Sequence, residues 1–80
     1  MMRAFERLPE DRKELEQTVV GALRTIAAEG GKTTNIRYIL RTLKCQNDPG
    51  AANRVRWVIV RMQLESISQS RYIIPEELRA

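Results

Sequence analysis

The stretch NDPGAANRVRWVIVRMQLES, residues 47–66, decides how this chain folds. Its opening Asn47-Asp48-Pro49-Gly50 is dense turn chemistry and ends whatever precedes it. The rest of the stretch reads in two ways. As a helix from Gly50 to about Ser66, it puts Ala51, Val55, Val58, Ile59 and Met62 on one face. At about 100° per residue, Trp57, Val60, Leu64 and Ile67 then form a second apolar stripe roughly opposite. A helix apolar on two sides must be buried on two sides. As a strand, Arg54 to Val60 is rich in β-branched residues and begins with alternation, which breaks at Val58 and then needs a bulge. Length and the Gly-Ala-Ala-Asn entrance favour the helix.

Upstream, a helix that starts at Thr33 or Thr34, either of which can cap it, and is over by Asn47 has Ile36, Ile39, Leu40 and Leu43 as its buried stripe. Arg37, Arg41 and Lys44 fall at four- and three-residue steps along one exposed edge. Before that, Leu15, Val19, Ala22, Leu23, Ile26 and Ala27 recur at helical spacing. Pro9 suits a first helical position, and Glu10, Asp11 and Glu14 put negative charge where the helix dipole favours it. Gly30-Gly31 stops that helix. Gly21 inside it reads equally as a close helix crossing or as a tolerated surface glycine. Downstream, Ser66 to Ser70 is a polar break. Arg71-Tyr72-Ile73-Ile74 reads as one short strand closed by Pro75, and Pro75 to Leu78 can open a last helical turn. The expectation is one mainly α domain over residues 1–80, with residues 1–8 as an arm and 75–80 as a tail.

Charge is unevenly spread. Between Gly30 and Ile74 stand Lys32, Arg37, Arg41, Lys44, Arg54, Arg56, Arg61 and Arg71 against two acids, Asp48 and Glu65, in a chain of formal net charge +4. The flanking segments are slightly acidic. Arginines gathered on part of a small surface make a field that polyanions feel. Arginine also outnumbers lysine eleven to three, which suits planar, forked recognition. A solvated charged face is the plain alternative.

Several classes are disfavoured. The longest apolar run, Trp57 to Val60, is far short of the roughly 20 residues that cross a bilayer. No apolar segment of signal-peptide length opens the chain, so a cytoplasmic location is expected. Histidine is absent and Cys45 stands alone. The commonest general base, the commonest metal ligand and any intrachain disulfide are therefore missing. Gly30-Gly31-Lys32-Thr33 lacks the earlier glycine of a phosphate loop, because Ile26 stands in its place. No catalytic residue, metal ligand or cofactor site is expected, and Cys45 reads as a packed thiol.

The order long helix, helix, turn, helix, short strand resembles the winged helix-turn-helix superfamily of DNA-binding domains, with a short or truncated wing. The resemblance runs from Asp11 to Ile74 and rests on element order, with Val55, Ile59, Met62 and Ile67 preceding Tyr72-Ile73-Ile74. It implies that the helix after the turn enters the major groove while the helix before it meets the backbone. Carried over by position, Asn53, Arg54 and Arg56 approach base edges, and Thr33, Thr34, Arg37 and Arg41 meet phosphates. Arg71 reaches the flanking backbone or the minor groove, and Lys32 and Arg61 extend the basic surface. Double-stranded DNA is the implied partner, with a regulatory or chromatin role. A homodimer would bury Trp57, Val60, Leu64 and Ile67. Alternatively that stripe is core beneath Phe5 and Leu8, or it docks an accessory subunit into a larger assembly.

Overall fold

The computed structural model describes residues 7–79. Helix α1, Arg12–Ala28, starts where the Asp11 carboxylate accepts the Glu14 N–H at 3.0 Å. Pro9 therefore lies outside the helix, and Asp11 is its cap. Leu15, Val19, Ala22, Leu23 and Ile26 are buried as their spacing requires. The C-terminus closes with two backbone bonds, Gly31 N–H to Ile26 C=O and Gly30 N–H to Ala27 C=O. This needs a left-handed residue, and Gly30 supplies it at φ 95°. Gly31 is required for a different reason. A Cβ there would sit 2.8 Å from the Ile26 side chain.

Gly21 is exposed, and an added Cβ would meet nothing within 4 Å. It is a surface glycine, not a helix crossing. Gly21→Ala should therefore stabilise the protein by about 0.5–1 kcal/mol, read as a rise of several degrees in melting temperature.

Thr33 and Thr34 form strand β1 and do not cap the next helix. Asn35 does so, accepting the Tyr38 N–H at 2.7 Å. Helix α2, Ile36–Thr42, buries Ile39 and Leu40. Helix α3, Ala51–Arg61, follows an eight-residue connection that is closed by Asp48 N–H to Cys45 C=O and Ala51 N–H to Asp48 C=O. The helical reading of this segment is right in kind and one turn too long. Gln63 adopts φ 57° and bonds back to Val60, Leu64 bonds back to Ile59, and the helix is over. Helix α2 ends with the same motif, with Lys44 at φ 58°.

Strand β2, Ser66–Ser68, turns through Gln69-Ser70 into strand β3, Arg71–Ile73. The expected single strand is therefore a hairpin. Strand β3 is central in an antiparallel sheet of order β1-β3-β2. Thr33 faces Ile73 and Thr34 faces Tyr72, and Ser66 faces Tyr72 across a bulge from Ser68 opposite Arg71. Helix α4, Glu76–Arg79, packs on α1 through half-buried Leu78.

The described residues thus form four helices, about half the chain, and one small three-stranded sheet. The core joins α1, α2, α3, Leu8 and Ile74. Cys45 lies inside it, with burial first and the charge of Asp48 second pushing its thiol up. Among the described residues no helix is long and apolar enough to cross a membrane, and no cluster of ligating side chains could hold a metal ion.

Candidate nucleic-acid interface

Packing α2 and α3 against one core leaves their outer edges side by side, with the β2–β3 turn beyond. One groove is lined by Asn35, Ile36, Arg37, Arg56, Gln69, Ser70 and Tyr72. A second, between α2 and α3, is lined by Ile36, Arg37, Leu40, Arg41, Gln46 and Ala52. Ile36 and Arg37 line both, so the two run into one another. Arg37, Arg41 and Arg56 are all exposed, and no acidic residue lines either groove. None of the three arginines is paired with a carboxylate among the described residues. Arg56 donates to the Asn53 side-chain oxygen at 3.3 Å, one helical turn away, so these two polar side chains share an outward face. Guanidinium groups, amides and hydroxyls line the grooves together with the aliphatic side chains of Ile36, Leu40 and Ala52.

The other expected contacts separate from this face, each for its own reason. Thr34 is 2% exposed and lies in the sheet opposite Tyr72, so it is closed to any ligand. Arg54 is half-buried and reaches across the molecule to donate to the carbonyls of Leu8 and Pro9. The Leu8 N–H in turn donates to Asp48 at 3.0 Å. Arg54 and Asp48 thus fasten the segment before α1, which is a structural role rather than base reading.

Arg61 pairs with Glu16 on α1 at 3.0 Å. Arg71 donates to the Thr33 hydroxyl at 3.0 Å. Side chains alternate along a strand, so Arg71 and Thr33 occupy the sheet face opposite Tyr72 and away from the groove. Lys32 is exposed and lines neither groove, and Lys44 lies with Arg7 beside Asn47, Asp48 and Pro49. Eight basic residues clustered in sequence therefore yield three that converge in space.

The Trp57 stripe is also broken up. Trp57 is half-buried against the core, with the Arg12 and Arg61 guanidinium groups 5.3 and 5.6 Å from its ring centre. Each such contact is worth about 0.5–1 kcal/mol at an exposed site. Leu64 is past the helix and packs on the core, while Ile67 is in β2, 57% exposed. Val60 alone stays on the outer face of α3. The cover expected from Phe5 lies outside the described residues, whereas Leu8 is buried as expected.

Groove residues that the sequence did not single out are Asn35, Gln46, Ala52, Gln69, Ser70 and Tyr72. A signal existed for the last three. Two residues separate the Ser66–Ser68 and Arg71–Ile73 runs, the commonest hairpin loop length, but Gln-Ser is not the Asn-Gly or Gly-X pair that marks such turns. No protein-family model, curated protein or solved structure matches the chain.

Proposed function

We propose that the protein is a winged helix-turn-helix module that binds double-stranded DNA through the joined grooves, as a transcriptional regulator or chromatin-type factor. The observation that carries this reading is the convergence of Arg37, Arg41 and Arg56 on one acid-free face spanning α2, α3 and the hairpin turn. Element order supports it too. A long helix, a strand, two helices joined by a turn and a hairpin returning beside that strand is the order expected of a helix-turn-helix with a small wing.

In this reading α3 lies in the major groove with Asn53 and Arg56 toward base edges, the pairings that suit adenine and guanine. Arg37 and Arg41 hold phosphates on one flank, and Gln69 and Ser70 meet the backbone on the other. Phosphate contacts fix register and base contacts specify sequence.

The test is a gel-shift titration with a random-sequence duplex, competed by single-stranded DNA and duplex RNA. Binding at low ionic strength that weakens steeply with added salt is expected, with the DNA duplex the best competitor. No shift at low ionic strength removes the proposal.

The second reading is pairing of two copies. With Trp57 and Leu64 taken up by the chain's own core, such a contact would centre on exposed Ile67 in the hairpin. Two copies would then set paired half-sites about one helical turn apart. Sedimentation at micromolar concentration distinguishes one copy from two. An accessory-subunit role is what remains if the protein neither binds duplex nor pairs.

A further inference from the structure

On the outer face of α3, Ala52 stands four residues before Arg56 and Val60 four residues after it. All three are exposed, Val60 at 69%. Ala52 lies at the groove between α2 and α3 beside Ile36 and Leu40, and Val60 is not among the side chains packed on the core. Nor does this pair make a protein interface: two small side chains divided by an arginine fall far below the roughly 800 Å² that each partner of a stable complex buries. What they do match is small, apolar and set among hydrogen-bonding groups.

We infer that Ala52 and Val60 are thymine-methyl contacts, so that the α3 face reads A·T pairs on both sides of the base pair met by Arg56. The inference rests on the duplex-binding proposal above and adds the chemical class that the face selects. In the major groove the 5-methyl of thymine is the one apolar feature of a base edge, and aliphatic side chains are its partners. Spacing agrees. Four residues advance a helix by about 6 Å, close to two base-pair steps of about 3.4 Å.

The arrangement also separates DNA from RNA, since uracil lacks this methyl and the A-form major groove is too deep and narrow to admit the helix. The phosphate contacts do not discriminate, because Arg37 and Arg41 meet phosphates of either nucleic acid. Selectivity falls to the two aliphatic side chains.

The experiment compares the full chain bound to alternating poly(dA-dT) and to alternating poly(dA-dU), duplexes that differ only in the 5-methyl. Burying one methyl is worth about fourfold in affinity and two about fifteenfold, so wild type should prefer the thymine polymer by about fifteenfold. Val60→Ser, at a position exposed enough to leave the fold intact, should retain about a fourfold preference while binding the uracil polymer as wild type does. Equal and tight binding of both polymers by wild type would overturn the methyl contact and leave duplex binding standing. An undiminished preference in Val60→Ser would overturn the assignment to that residue. Failure to bind either polymer would overturn the duplex-binding proposal itself.

Discussion

Replacing Arg37, Arg41 and Arg56 together by alanine is expected to weaken duplex binding by about a thousand-fold with no loss of fold. The three guanidinium groups face solvent from the two joined grooves and support nothing in the core. The one described hydrogen bond they lose is Arg56 to Asn53, on the surface. Substitutions at exposed positions away from special features change stability by about 0.5 kcal/mol or less, so the melting temperature should hold. Binding is another matter. A hydrogen bond to a charged group contributes about 1.5 kcal/mol or more, and each 1.4 kcal/mol is about tenfold in affinity. Three lost contacts therefore account for about three decades. Fluorescence anisotropy with a labelled duplex measures the affinity and thermal denaturation measures the fold. A triple variant that binds like wild type would show that contact lies elsewhere.

The opposite pattern is expected two residues away. Arg54→Ala should cost about 2–3 kcal/mol of stability and should affect DNA binding only through the folded fraction. Arg54 is half-buried and donates to two carbonyls, Leu8 and Pro9, whose segment carries buried Leu8 into the core. Removing the guanidinium leaves those carbonyls short of donors and frees the chain that seats Leu8. A domain of this size has a total stability of about 4–12 kcal/mol, so the loss is a large share of it. The melting temperature should fall by about 10–20 °C.

Asp48 holds the same segment from the other side through the Leu8 N–H. Asp48→Ala should therefore be destabilising as well, and the double variant less so than the two losses added, because both release one element. Arg54→Lys should rescue only part, since an ammonium lacks the planar fork that reaches two carbonyls at once. If Arg54→Ala melts like wild type but fails to bind, the roles of Arg54 and Arg56 are exchanged.

These two arginines show where the sequence was legible and where it was not. Periodicity located the buried faces of α1, α2 and α3 nearly residue for residue, because burial of an apolar face dominates the folding energy and leaves a 3.6-residue signature. The start of α2 was misread because threonine is both a good cap and a good strand former, and only pairing with Tyr72 and Ile73 decides between them. The end of α3 was misread because a left-handed glutamine, Gln63, stops it where glycine would have signalled a stop.

In the site, Arg37 and Arg41 were readable from their four-residue spacing. Arg54, Arg61 and Arg71 were not, since their partners lie 45, 45 and 38 residues away in sequence. The charge of a segment records how many cations are present, and only the fold decides which are spent on carbonyls and carboxylates.

The central claim is that three arginines, rather than the overall positive charge, make the polyanion surface. The most direct test is the salt dependence of duplex affinity for two variants of equal net charge: Arg37/Arg41/Arg56→Ala and Arg24/Arg61/Arg71→Ala, Arg24 being exposed on α1 and lining neither groove. Each phosphate contact contributes about 0.9 to the slope of log affinity against log salt. The first variant should lower the wild-type slope by about 2, through the two phosphate contacts of Arg37 and Arg41, and the second should leave it unchanged. Equal reductions in both variants, or a larger one in the second, would contradict the claim.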